Sequence, residues 1–373
     1  MNRLLVIGFA SSNILHLKDR TIACVGGAGI YTAMAAHRCG AQTALFGSRP
    51  DPCPERLEPV AKRLTAWAGP VIPPEQLPQF EISYRHGKTQ YLKTSLETAK
   101  MLSPAMLPTN LSKYDLVHVT PLGDGDRQLS FIQACRQRGA KHISAGTGLY
   151  IADQQPQAVR AAIEQTDYFF MNNQEARSVF GSLKSAKTGP GKVLYLTLGA
   201  QGAYVIQGNN VTSIPAVSVT ELDPTGAGDS FCGSTLAYLL QKKHPIMAAH
   251  YATALAAEMI SQVGPSALLS DETPPEMPLD ARVQVNDVQV KKVAQRVSTI
   301  PEVSPFPFVS PVLPSVGHPK AIDYFFAATL QQFSFWSEKK GRYDQPLITE
   351  IAGTEQKGSD YLWYAFTRRL EQD

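Results

Sequence analysis

Through the first 270 residues, short apolar runs alternate with stretches of helical spacing. The runs are Leu4–Phe9, Gln42–Gly47, Leu116–Thr120, His142–Ala145, Tyr168–Met171 and Val193–Leu198. None has the strict polar/apolar alternation of a strand with one wet face, as expected of strands covered on both sides. Strand alternating with helix predicts an α/β domain, a mainly parallel sheet with helices on both faces. One segment departs from this scheme. Phe80–Thr94, FEISYRHGKTQYLKT, reads as two half-polar strands about a His86-Gly87 turn, an antiparallel hairpin inserted where a lid would sit.

After Leu269 the texture changes. Residues 271–280 are acidic and Pro-rich, Val285–Val297 has helical spacing, and Pro301 to Pro319 holds six prolines in nineteen positions. That density blocks continuous helix or sheet. Ala321–Trp336 and Tyr361–Leu370 then read as aromatic-rich helices. The expected organisation is a domain over 1–273, a Pro-rich linker with one helical segment over 274–320, and a mostly helical appendage over 321–373. The chain stops soon after the last helical pattern, which reads as an incomplete domain.

Composition narrows the function classes. Lys+Arg 35 against Asp+Glu 32 leaves +3, with no basic field for a nucleic-acid backbone. Residues 271–373 carry 11 basic and 14 acidic groups, so the tail is not a basic arm. Five cysteines, scattered and without a C-x-x-C pair, indicate neither a zinc site nor a disulfide framework, and a cytoplasmic setting is expected. The opening MNRLLVIGFASSN reads as a buried first strand ending in a turn-like Ser-Ser-Asn, in preference to an export signal. No run approaches a membrane span.

The sharpest chemical signal is Asp223-Pro224-Thr225-Gly226-Ala227-Gly228-Asp229, followed by an apolar helical stretch. Glycines at a helix start leave backbone N–H groups free, and with the helix dipole they make an anion site. Asp229, in the first turn, is placed to take a proton from a hydroxyl attacking a phosphorus held by those amides. The same residues also read as a simple capped turn. Upstream, Gly26-Gly27-Ala28-Gly29 precedes a small-residue helix, which lets a ligand approach the backbone closely. A dinucleotide turn does not fit there, because the final glycine and the distant acidic residue are missing. Asn172-Asn173-Gln174-Glu175 follows one strand run, and Thr197-Leu198-Gly199-Ala200-Gln201-Gly202 leaves another. Neither a P-loop nor the protein-kinase H-R-D and D-F-G motifs occur.

These four segments, in this order over residues 1–269, resemble the ribokinase family of carbohydrate and nucleoside kinases, also called the phosphofructokinase-B family. The resemblance implies a ribokinase-like fold with a small β-hairpin lid and an ATP-dependent kinase that uses Mg²⁺, with room for a monovalent cation. It implies Asp229 as catalytic base and Gly226, Ala227 and Gly228 as the hole for the transferred phosphoryl group. Asn172, Glu175, Thr197, Gly199, Gly202 and Thr225 would line the nucleotide, Glu175 meeting the metal through water. Asn13, Gly26, Gly27 and Tyr31 would hold the acceptor, and the lid would close over it and pair subunits into a homodimer. Two departures bear on the substrate. Asn13 stands where many members carry an Asp that grips sugar hydroxyls, and Tyr31 where many carry an Asn. A lost carboxylate and a gained phenol favour a flatter or larger acceptor than a free pentose, preferentially a ribonucleoside, although Tyr31 also reads as a plain buried helix residue. A free-sugar kinase with a structural tail and an inactive binding or regulatory protein are the alternatives.

The tail offers two readings. Phe333-Ser334-Phe335-Trp336 and the Gly358–Arg369 run GSDYLWYAFTRR resemble, in aromatic spacing, the N-terminal half of queuosine-salvage nucleotide N-glycosylases. Such a fusion would join phosphorylation of a modified nucleoside to cleavage of its nucleotide. The other reading is a helical cap whose aromatics are core. No acidic catalytic motif is visible in the tail, so it is assigned no activity.

Overall fold

The apolar runs become strands of a single large sheet. The computed structural model describes residues 2–275 apart from Lys18, His86, Gly87 and Glu97. The features expected beyond Pro275, including the proline run and the aromatic helices, lie outside the described residues. In chain order the strands are β1 (Arg3–Ile7), β2 (Ser11–His16), β3 (Thr21–Gly26), β4 (Gln42–Phe46), β5 (Arg49–Pro50), β6 (Ala66–Ala68), β7 (Val71–Ile72), β8 (Gln79–Arg85), β9 (Lys88–Ser95), β10 (Leu116–Val119), β11 (Ile143–Gly146), β12 (Tyr168–Asn172), β13 (Val193–Thr197), β14 (Ala203–Gln207) and β15 (Asn210–Ile214). The helices are α1 (Ala28–Arg38), α2 (Glu58–Arg63), α3 (Gly125–Gln137), α4 (Leu149–Gln154), α5 (Pro156–Gln165), α6 (Asn173–Phe180), α7 (Ala227–Leu240) and α8 (Pro245–Ile260).

Nine strands lie in the order β15-β14-β13-β12-β11-β10-β1-β4-β6. Pairing is parallel from β6 to β13 and antiparallel for β14 and β15. Every residue of β10 and β11 is buried, which explains why these segments carry no alternation. His118 of β10 is tolerated there because burial lowers its pKa to about 3, keeping the ring neutral, and Nδ1 pairs with Ser144 Oγ at 2.7 Å. From β1 the chain passes to β4 on one side and later returns to β10 on the other. That reversal opens a crevice at the carboxyl ends of β1 and β10, where open α/β sheets bind ligands.

The expected hairpin is present as β8 and β9, but it belongs to a four-stranded sheet ordered β3-β2-β8-β9. The turn expected at Ser11-Ser12-Asn13 is instead the start of β2. Its burial alternates, with Ser11, Asn13 and Leu15 inside and Ser12 and Ile14 outside. The inward positions include two polar residues, so hydrophobicity did not mark the strand.

Glycines set how closely the elements stack. A Cβ on Gly29 of α1 would lie 2.9 Å from Gly8 and Phe9 backbone atoms, so α1 rests against the chain leaving β1. A Cβ on Gly233 of α7 would lie 2.1 Å from the carbonyl oxygen of Thr32 in α1. The two helices therefore meet backbone to backbone, holding the start of α7 beside the crevice. Gly233→Ala should cost about 1–3 kcal/mol of unfolding free energy, the usual range for overpacking, as read from urea denaturation.

Candidate active site

Helix α7 begins on Gly226, whose φ of 80° is the left-handed conformation that glycine adopts without strain. A Cβ there would also lie 2.5 Å from ring atoms of Tyr31, so the turn is seated directly on that ring. Ala227 N–H donates to Pro224 O at 3.2 Å. The N–H groups of Gly228 and Asp229 have no partner among the described residues, and a Cβ on Gly228 would meet nothing within 4 Å. Two free amides at the positive end of a fourteen-residue helix, with open space above, form an anion cradle. Of the expected set, Ala227 is the residue whose N–H is already taken, and Asp229 adds a free donor to those of Gly226 and Gly228.

The two acidic residues that bracket this turn differ in environment. Asp223 is fully buried. Its Oδ1 accepts from Thr225 N–H at 3.0 Å and from the Tyr84 hydroxyl, and its Oδ2 accepts from Gly264 N–H at 2.8 Å. It fastens the turn. Asp229 is only partly enclosed, has no hydrogen-bond partner among the described residues, and is pushed up to about 7 by desolvation. A carboxyl poised near neutral pH and left free of partners is suited to proton transfer.

Across the crevice, Asn172 caps α6. Its side-chain oxygen accepts from Gln174 N–H and Glu175 N–H, both at 2.9 Å, while both Glu175 oxygens accept from Asn172, one from its backbone N–H and one from Nδ2, each at 2.8 Å. The motif is a complete capping box. Burial raises Glu175 to about 8, the Asn172 N–H opposes that, and Asp229 and Asp153 add to it. Glu175 and Asp229 therefore feel each other's charge. Asn172 lies opposite Thr197 in the β12–β13 register, which brings the Asn172–Glu175 and Thr197–Gly202 segments to one edge. Beyond Thr197, Gly199 and Gly202 close a tight turn in which Leu198 N–H donates to Gly202 O at 2.8 Å. Gly202 has no room for a side chain, since a Cβ would lie 2.0 Å from Ile214 O.

On the lid side, Asn13 is 1% exposed, and its Oδ1 accepts from Ser11 Oγ at 2.7 Å. Its Nδ2 lies against Gly26, where a Cβ would come within 2.3 Å. Gly27, at φ 96°, caps α1 and lies against Phe9 O. Tyr31 is 1% exposed with Gly226 over its ring, which fits the buried-helix reading rather than stacking on an acceptor, and its buried hydroxyl has no partner among the described residues. Thr225, expected at the nucleotide, has its hydroxyl paired with Tyr84.

Several residues here were not anticipated from the sequence. Phe9 stacks on Phe80 with centroids 6.5 Å apart, and Phe80 meets Tyr91 edge-on at 5.9 Å. Tyr91 is 62% exposed, and its phenol is raised first by the surrounding protein and then by Asp229 and Glu175. The ladder of rings thus ends within electrostatic reach of both carboxylates. Phe80, Ile82 and Tyr84 sit at alternate positions, a period-two signal from which their shared face of β8 could have been read.

Among the described residues no group of three or more His, Cys, Asp or Glu could hold a metal ion, and no helix is long and apolar enough to cross a membrane. The five cysteines are free.

Residues 88–272 match the model of the pfkB family of carbohydrate kinases. Solved structures share the fold at low identity. A ribokinase from Cryptococcus neoformans var. grubii serotype A in complex with ADP is 18% identical with a TM-score of 0.61, covering 72% of this chain and 96% of that one. A nucleoside kinase from Burkholderia thailandensis in complex with inosine is 19% identical with a TM-score of 0.59, covering 74% and 95%. A putative ribokinase II from E. coli in complex with ATP and Mg²⁺ is 18% identical with a TM-score of 0.57, covering 72% and 96%. With its sheet, its lid and its D-P-T-G-A-G-D helix start, the chain carries a carbohydrate-kinase domain of the pfkB family, matched over residues 88–272.

Proposed function

We propose that this ATP-dependent carbohydrate or nucleoside kinase phosphorylates a ribonucleoside, with Asp229 as the base. The observation that carries the chemistry is the pairing of a partner-free, near-neutral Asp229 with the free N–H groups of Gly228 and Asp229 in the same helical turn. The acceptor's hydroxyl gives its proton to Asp229 as its oxygen attacks the γ-phosphorus. The amides of the cradle meet the negative charge on the equatorial oxygens, and fixed dipoles there need no reorganisation during the reaction.

The acceptor class follows from the lid. Asn13 supplies a neutral amide where a carboxylate would grip sugar hydroxyls, and the Phe9-Phe80-Tyr91 ladder offers an aromatic wall suited to a planar base. The inosine complex of the Burkholderia thailandensis nucleoside kinase agrees with that class. Tyr31 belongs to the floor beneath the cradle, and Gly26 and Gly27 seat the start of α1 against Asn13 and Phe9, which fill the space their missing side chains leave.

Thr197, Gly199 and Gly202 are assigned to the nucleotide side. Mg²⁺ bound with ATP would neutralise charge on the β- and γ-phosphates. Both Glu175 oxygens are taken by Asn172, so Glu175 would hold the ion through water, which suits a cation that keeps much of its hydration.

Asp229→Asn is expected to lower kcat by at least about a hundredfold, within the range for a lost general base, while ATP still binds by calorimetry. The decisive assay runs this variant beside the wild type on ATP with a panel of free sugars and ribonucleosides including queuosine. Turnover by the wild type with ribonucleosides is expected. Turnover with sugars alone would make the chain a free-sugar kinase, and none at all would favour a binding protein. Because Asp229 must be ionised to act, kcat/KM should rise with pH toward about 7 and level off above it. Gly228→Ala should fold like the wild type, since nothing lies near its Cβ, yet lose turnover because the methyl occupies the phosphoryl space.

A further inference from the structure

Tyr84 projects from lid strand β8 on the same face as Phe80 and Ile82. Its hydroxyl reaches out of the lid sheet to the turn that leads into the cradle. There it donates to Asp223 Oδ1 and pairs with Thr225 Oγ1, giving a chain in which the Thr225 hydroxyl donates to the phenol and the phenol to the carboxylate. Burial and the neighbouring carboxylate hold the phenol well above its ordinary range, so it remains a donor. Asp223 also receives Thr225 N–H and Gly264 N–H, and Gly264 in turn packs on Cys24 of lid strand β3. One buried carboxylate thus joins the cradle turn to both hairpins of the lid.

We propose that Tyr84 is a positioning residue, a latch whose hydroxyl makes closure of the lid and alignment of the Gly226–Asp229 cradle a single event. This inference rests on the kinase reading for its kinetic consequence but not for the coupling itself. With the latch made, the inward residues of β2 and the aromatic ladder are held over the crevice while the amides that receive the phosphoryl group are fixed. With it broken, the lid can lift, Asp223 loses a donor, and water gains access to the γ-phosphorus. Water attacking in place of the acceptor would yield ADP and inorganic phosphate, its proton passing to Asp229.

Tyr84→Phe keeps the ring and its packing and removes only the hydroxyl. Hydrogen exchange on the full chain without substrates is expected to speed up on the order of tenfold both in Gln79–Ser95 and in residues 223–228, with β10–β12 unchanged. Faster exchange in one region alone, or in neither, would overturn the coupling. With ATP and a ribonucleoside, kcat should fall roughly tenfold, less than for a donor that faces the developing charge, and ADP formed per phosphorylated acceptor should rise above one. Coupled exchange with unchanged kcat and a ratio of one would reduce the contact to a structural tie and overturn the positioning role. A wild type that phosphorylates no acceptor would refute the kinase reading, and the exchange measurement would still decide the latch.

Discussion

Helices α1 and α7 touch backbone to backbone, and the site is arranged around that contact. Gly233 against Thr32 sets their separation, and Gly226 on the face of Tyr31 sets where α7 begins. A helix start is useful only if its amides point at the reacting phosphorus, so the register between these helices decides whether the cradle faces the crevice beside β1. The close packing also explains why α7 is buried along most of its length and carries no side-chain cap. A cap would occupy the N–H groups that the proposed anion cradle uses.

Three buried or half-buried carboxylates lie along the crevice, and their partners divide the work. Asp223 receives donors from the turn, from Gly264 and from the lid, and is committed to holding the loop. Glu175 spends both oxygens on Asn172 and keeps the start of α6 in place. Asp229 alone of the three has no hydrogen-bond partner among the described residues. Environment rather than residue type singles it out as the proposed base.

The sheet was legible in the sequence because strands covered on both faces leave uninterrupted apolar runs, and all six runs are strands. The helix start was legible because Gly226 and Gly228 have few other uses immediately before an apolar helix. Strand β2 was not, since Ser11 and Asn13 occupy its inward positions and mimic a turn. Tyr31 was placed on its helix with two readings, an acceptor contact or a plain buried residue; the second fits its burial, and nothing local shows that Gly226, far along the chain, lands on its ring. The Tyr84 latch is a long-range contact of the same kind. Its alternation with Phe80 and Ile82 shows the face it occupies, but only the fold brings Asp223 there.

The account is tested most directly by a crystal structure of the full chain with a ribonucleoside and a non-hydrolysable ATP analogue. It predicts the acceptor's reacting oxygen within hydrogen-bond distance of the Asp229 carboxylate, the γ-phosphate on the Gly228 and Asp229 amides, and the base against Tyr91. An acceptor bound away from Asp229, or a γ-phosphate that makes no contact with those amides, would contradict it.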